Sequence, residues 1–133
     1  MLTGVVAFQR ARIVWQSAQS RMVAEAERLV AEIIGQSGDD EDATEIAAAG
    51  REILAEVGRV DDRLQGVLDR LMVAPEGRAR DALKREAVGV IAEYRQILSG
   101  GIFPLLNTNP FTPVTVAETA DAALTVVAVA LAA

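Results

Sequence analysis

The stretch that decides the fold runs from 46 to 71 and reads IAAAGREILAEVGRVDDRLQGVLDRL. Within it Ile46, Gly50, Ile53, Val57, Val60, Leu64, Val67 and Leu71 follow one another at steps of 4-3-4-3-4-3-4. That alternation keeps one stripe of an α-helix turned toward a partner helix. Asp42, with Glu45 three residues on, reads as a capping box at the start of this helix. Pro75 stands just beyond its end. A helix over about 43–73 is expected.

Toward the N-terminus, Phe8, Trp15, Met22 and Leu29 recur every seven residues, with Ala11, Ala18, Ala26 and Ile33 filling the same seam. Polar residues, among them Gln9, Arg10, Gln16, Gln19, Glu25, Arg28 and Glu32, take the other faces. Thr3 is the expected N-cap and the acidic QSGDDED segment the end, which predicts a helix over about 4–35. At 1.5 Å per residue it is roughly 45 Å long.

On the C-terminal side, Pro75 suits a first helical position. Ala79, Leu83, Ala87, Val90, Tyr94 and Ile97 then mark a third helix, about 75–98, ending at Ser99-Gly100-Gly101. So short a connection makes the second and third helices antiparallel neighbours. Residues 99–113, SGGIFPLLNTNPFTP, read as a long apolar loop packed across the end of the molecule, with room for a helical turn. Thr115 and Glu118 form another capping box, opening a last helix over about 114–132 on Val116, Ala120, Ala123, Val127 and Leu131. The expected fold is all-α: a single domain, 1–133, built as an antiparallel up-down four-helix bundle with a long loop before the last helix. A three-helix coiled coil with a docked C-terminal helix is the alternative.

Composition narrows the chemistry. The 133 residues are 51% hydrophobic but only 4% aromatic, so the core is built from Ala, Val, Leu and Ile. There is no Cys, which excludes disulfides, thiolate metal sites and thiol nucleophiles. There is no His, the commonest general base and zinc ligand. The formal net charge of −6 argues against nucleic acid, whose affinity rests on Lys and Arg neutralising phosphates. No basic leader with an apolar run opens the chain, and no segment reaches the roughly 18 apolar residues of a membrane span. A cytoplasmic protein without a membrane span is therefore expected. The single Lys beside many Arg, together with the Ala and Val load, matches a GC-rich bacterial genome.

No catalytic, metal or cofactor site is expected. The run Asp39-Asp40-Glu41-Asp42 lacks the Gly and Glu positions of a calcium loop and reads as a solvated turn. Arg78, Arg80, Lys84 and Arg85, interleaved with Asp81 and Glu86, read as a charged outer face. Gly50, Gly58 and Gly66 inside the second helix suggest either the close approach of another helix or a ligand, or tight spots in an Ala-rich bundle. Trp15 and Tyr94 read as core anchors.

Two features point outward. The loop carrying Asn107, Asn109 and Phe111 has the capping and turn chemistry of a recognition loop as well as of a structural one. The end of the chain, AALTVVAVALAA, is apolar on every side, and such a helix is normally buried on every side. It lies centrally in the fold, forms an intermolecular surface including Val126 and Val129, or continues into further chain.

FQRARIVWQSA at 8–18, YRQIL at 94–98 and LLNTNPFTPVTVAETADAAL at 105–124 resemble helical modules of bacterial proteins without an assigned activity, chiefly in the Asn-Pro-Phe-x-Pro-Val piece before the last helix. The resemblance implies a bacterial, non-enzymatic module and carries over no functional residue. A non-enzymatic interaction or scaffolding bundle is the favoured reading, with a protein partner or self-association through the C-terminal helix. A bundle sensing a small molecule in an apolar interior pocket is the alternative. An enzyme would need an inward cluster such as Glu93 with Arg95.

Overall fold

Ala, Leu, Glu and Arg fill most of the periodic stretches, and each sacrifices little side-chain freedom in a helix. The seams these residues leave apolar are closed by packing helix on helix. The computed structural model describes residues 2–37, 41–107 and 114–132. Their elements are α1 (Leu2–Ser37), α2 (Glu41–Val73), α3 (Arg78–Ile97), a π-helical turn (Leu98–Ile102), α4 (Phe103–Asn107) and α5 (Val114–Ala132). The architecture is the expected all-α four-helix bundle, and no strand occurs among the described residues.

The helices form a ring in which α1 packs on α2 and α5, and α3 packs on α2 and α5. Their directions alternate. At one end Phe8, Leu71, Lys84 and Leu131 line a common cleft of about 90 Å³. At the other, Val30 of α1 and Leu105 of α4 meet over Gly50 of α2. The expected rows face inward: Trp15, Met22, Val57, Leu64, Val67, Ala87, Tyr94, Ala120 and Val127 are buried. The seam of α2 is shifted at its start, where Ala47 is buried and Ile46 is half exposed.

Four local expectations are corrected. α1 starts at Leu2 and α2 at Glu41, so Thr3 and Asp42 lie within first turns rather than before them. There Asp42 and Glu41 still favour the positive end of the helix dipole. α3 starts at Arg78, not Pro75, because the chain turns at Gly77 with a φ of 138°, a conformation that suits only glycine. Arg80 is not part of a purely solvated face. Its guanidinium donates to the carbonyls of Leu71 and Ala74, both at 3.1 Å, and so closes the end of α2.

The fourth correction is the long loop, which is largely helix. Tyr94, Leu98, Ile102 and Leu106 are all buried and stand four residues apart. At 3.6 residues per turn each such step overshoots by about 40°, and a wider turn takes up the excess. Pro104 adds a second cause, since a proline ring clashes with the carbonyl four residues before it in a regular helix. The π turn opens the backbone there, and Phe103 N–H reaches back to the Leu98 carbonyl. Residues 108–113 lie outside the described residues.

The last helix is not central. In a ring of four every helix keeps an outside, and α5 buries Ala120, Ala123, Leu124, Val127 and Leu131 while Val126 and Val129 are 45% and 64% exposed. Among the described residues no helix is long and apolar enough to cross a membrane.

The three α2 glycines differ. A Cβ at Gly50 would stand 2.8 Å from Val30 Cγ2, whereas at Gly58 and Gly66 it would meet nothing within 4 Å. Gly58→Ala is therefore expected to stabilise by about 1 kcal/mol and Gly50→Ala to destabilise. Thermal melting of the two variants checks the pair of signs.

Candidate functional site

Sequence reasoning left carboxylates out of the seams, and here the structure differs most. Asp61 lies on α2 one heptad from Leu54 and Leu68, so its side chain reaches the edge of the core. Its Oδ1 accepts the indole N–H of Trp15 at 3.0 Å and the phenol O–H of Tyr94 at 3.2 Å. Both donors belong to fully buried side chains, whose rings pack edge to face with centroids 5.1 Å apart. One carboxylate oxygen thus joins α1, α2 and α3.

A polar flank continues from it along the α1–α2 seam. Arg12 donates to Gln65 Oε1 at 2.9 Å and pairs with Asp69, and Gln16 also donates to Gln65 Oε1, at 3.3 Å. Arg12 has no acceptor atoms, which fixes the orientation of the Gln65 amide. Gln65 Nε2 is left buried with no hydrogen-bond partner among the described residues. Burial raises the Asp61 carboxyl above its ordinary range, and the bonds from Trp15 and Tyr94 oppose that rise without cancelling it. Burial also raises the Tyr94 phenol, and the neighbouring Asp61 charge adds to it.

The cluster considered for catalysis does not form. Glu93 points away from Arg95 and makes a two-pronged pair with Arg63 of α2, at 3.0 and 2.9 Å, with both side chains about half exposed. Arg95 turns to α5, where it meets Thr125 at 2.6 Å and Asp121 at 3.4 Å. Arg70 and Glu86 add a second α2–α3 pair. Among the described residues no three metal-capable side chains converge. A cleft of about 340 Å³ opens beside the π turn, walled by Ile53, Glu56, Glu93, Gln96 and Gly100.

The expected partner-binding residues divide. Val126 and Val129 stand exposed on the outside of α5. Asn107 ends α4, but its side chain, like Asn109 and Phe111 entirely, lies outside the described residues. α1 contributes what the sequence reading missed: Val6, Ile13 and Val14 are 44%, 64% and 47% exposed. Phe8 is level with Leu131, so Val14 and Val126, about one and a half turns in on each antiparallel helix, lie at the same height. Exposed apolar side chains therefore stand at similar heights on two helices that pack together.

No family model, no curated protein and no solved structure matches this chain.

The Asp61 tie has a testable electrostatic sign. A carboxyl whose value is raised on folding adds stability in full below the ordinary carboxylate range, near 4, and that stability is lost as pH rises through the folded value. Asp61→Asn keeps an oxygen acceptor and removes the charge. Asp61→Asn is expected to melt at or above the parent chain at pH 7, with the advantage gone below about pH 4. Asp61→Ala strands two buried donors, each costing about 1–3 kcal/mol, and is expected to melt lower at both values. Paired thermal melts at pH 4 and 7 measure all three chains.

Proposed function

We propose that this protein is a non-enzymatic helical module that binds protein, a second copy or a separate partner, through the outer face shared by α5 and α1. One observation carries the reading. Val126 and Val129 are exposed on a helix with no charged residue from Ala122 to Ala132, and α1, which packs on that helix, exposes Val6, Ile13 and Val14. Contiguous exposed apolar surface marks interaction sites far more often than scattered single residues do. The acidic, Arg- and Ala-rich composition supports placing the module in a bacterial cytoplasm.

The small-molecule reading draws less support from the geometry. It needs an apolar interior cavity, whereas the cleft of about 340 Å³ beside the π turn is open and has Glu56 and Glu93 on its wall.

Light scattering over a concentration series is expected to rise above the 14.1 kDa of one chain. Val126→Asp combined with Val129→Asp is expected to hold the mass at one chain without lowering the melting temperature, because both positions face outward. A parent chain that stays monomeric throughout leaves only a separate partner as occupant. Recovery of the same proteins by the parent chain and the double variant in a pull-down then sinks the reading.

A further inference from the structure

The exposed valines of α1 and α5 are flanked by charges that have no partner within the chain. Successive helix residues are about 100° apart, so Arg10, Val14, Ser17 and Arg21 share one side of α1, roughly opposite Arg12, which reaches Gln65 of α2. That side is the shoulder next to α5, the other helix on which α1 packs. On α5, Val127 faces the core and Asp121 faces Arg95 of α3. Glu118, Ala122, Val126 and Val129 turn outward, away from both of those directions, and every residue of the two rows is exposed. Phe8 is level with Leu131, and each step along α1 is a step back along antiparallel α5. Arg10 thus stands level with Val129, Val14 close to Val126, Ser17 with Ala122, and Arg21 with Glu118. Arg21 and Glu118 make no hydrogen bond or ion pair among the described residues.

We infer that the partner is a second copy of this chain, docked about a two-fold axis parallel to the helices. α1 of each copy then lies along α5 of the other, with Arg21 of one protomer against Glu118 of its partner. This rests on the α5–α1 face being the binding surface. Rotation about such an axis keeps every residue at its own height, so level groups meet, and each contact occurs twice. Opposite charges meet at one end, then small Ser17 and Ala122, then the valines, and the Arg10 stem covers Val129. A copy turned end over end sets α1 on α1 instead. Centred on the valines, that arrangement brings Arg21 over Val6 and pairs neither charge. The area is adequate. α5 has 19 residues and spans roughly 28 Å. Two packed helices are roughly 20 Å across, and a strip of roughly 600 Å² per copy stands at the low end of specific interfaces. An exposed ion pair adds little affinity; its part is to select orientation and register.

Reversing the charges one at a time tests the pairing. Arg21→Glu and Glu118→Arg are each expected to stay at 14.1 kDa in light scattering, at concentrations where the parent chain reaches twice that mass. Each sets like charges together at two places in the dimer. One reversal makes the chain more acidic and the other less, so loss in both is not an effect of net charge. An equimolar mixture of the two variants is expected to regain the doubled mass, because each altered residue then meets its opposite on the other chain. An ion pair within one chain gives no such recovery. Both positions are exposed, and unchanged ellipticity is expected throughout. The pairing is overturned by a parent that never exceeds one chain, by a reversal that dimerises like the parent, or by a mixture that stays at one chain. Each of these results spares the face itself, as the site of a separate partner. A dimer that survives Val126→Asp with Val129→Asp overturns the face and the pairing together.

Discussion

The bundle depends on small apolar side chains meeting across four seams. Alanine and valine recur along α1, α2 and α5 at core positions, and three larger groups, Trp15, Tyr94 and Met22, fill the middle. Small residues let helix backbones approach closely, so the chain gains its burial from many modest contacts. The constraint is visible at Gly50, where Val30 leaves no room for a Cβ, and at Gly101, where Ile53 stands 3.0 Å from the Cβ position. These two glycines are spacers between helices; Gly58 and Gly66 face open space.

Most of the fold was legible because the helical period is strong. The expected rows turn inward or pack against the core from Phe8, Gly50, Leu83 and Val116 onward, while Ile46 and Ala79, which lead two of them, are exposed. Legibility ended where local signals competed. Pro75 suits a first helical position, yet the left-handed Gly77 resets the chain two residues later, and neither residue alone reveals which prevails. Ser99-Gly100-Gly101 reads as a helix terminator by propensity, yet burial of Leu98, Ile102 and Leu106 carries the helix through it. Tertiary packing overrode propensity there. The signal was present as three successive four-residue steps from Tyr94, which an ordinary helix cannot keep on one face.

The polar tie was less legible, for a different reason. Asp61 stands beside Asp62 in a run of charged residues, and charge runs usually mark a wet surface. What separates the two carboxylates is the heptad phase: Asp61 follows Leu54 and precedes Leu68, while Asp62 lies on the outside. The partners were equally available, since Trp15 and Tyr94 carry the only indole and phenol in the chain. Aromatic residues with a polar atom usually keep that atom bonded when buried, so two such anchors in apolar rows already demand an acceptor between them.

That there is one indole, wholly buried and bonded to a carboxylate, gives the molecule a built-in optical gauge. Its ultraviolet emission reports water reaching the junction of α1, α2 and α3. Circular dichroism, by contrast, sums every helical residue. Agreement of the two signals on heating means that the ring opens as one unit, while earlier loss of ellipticity than of fluorescence means that helix is lost elsewhere before this junction opens.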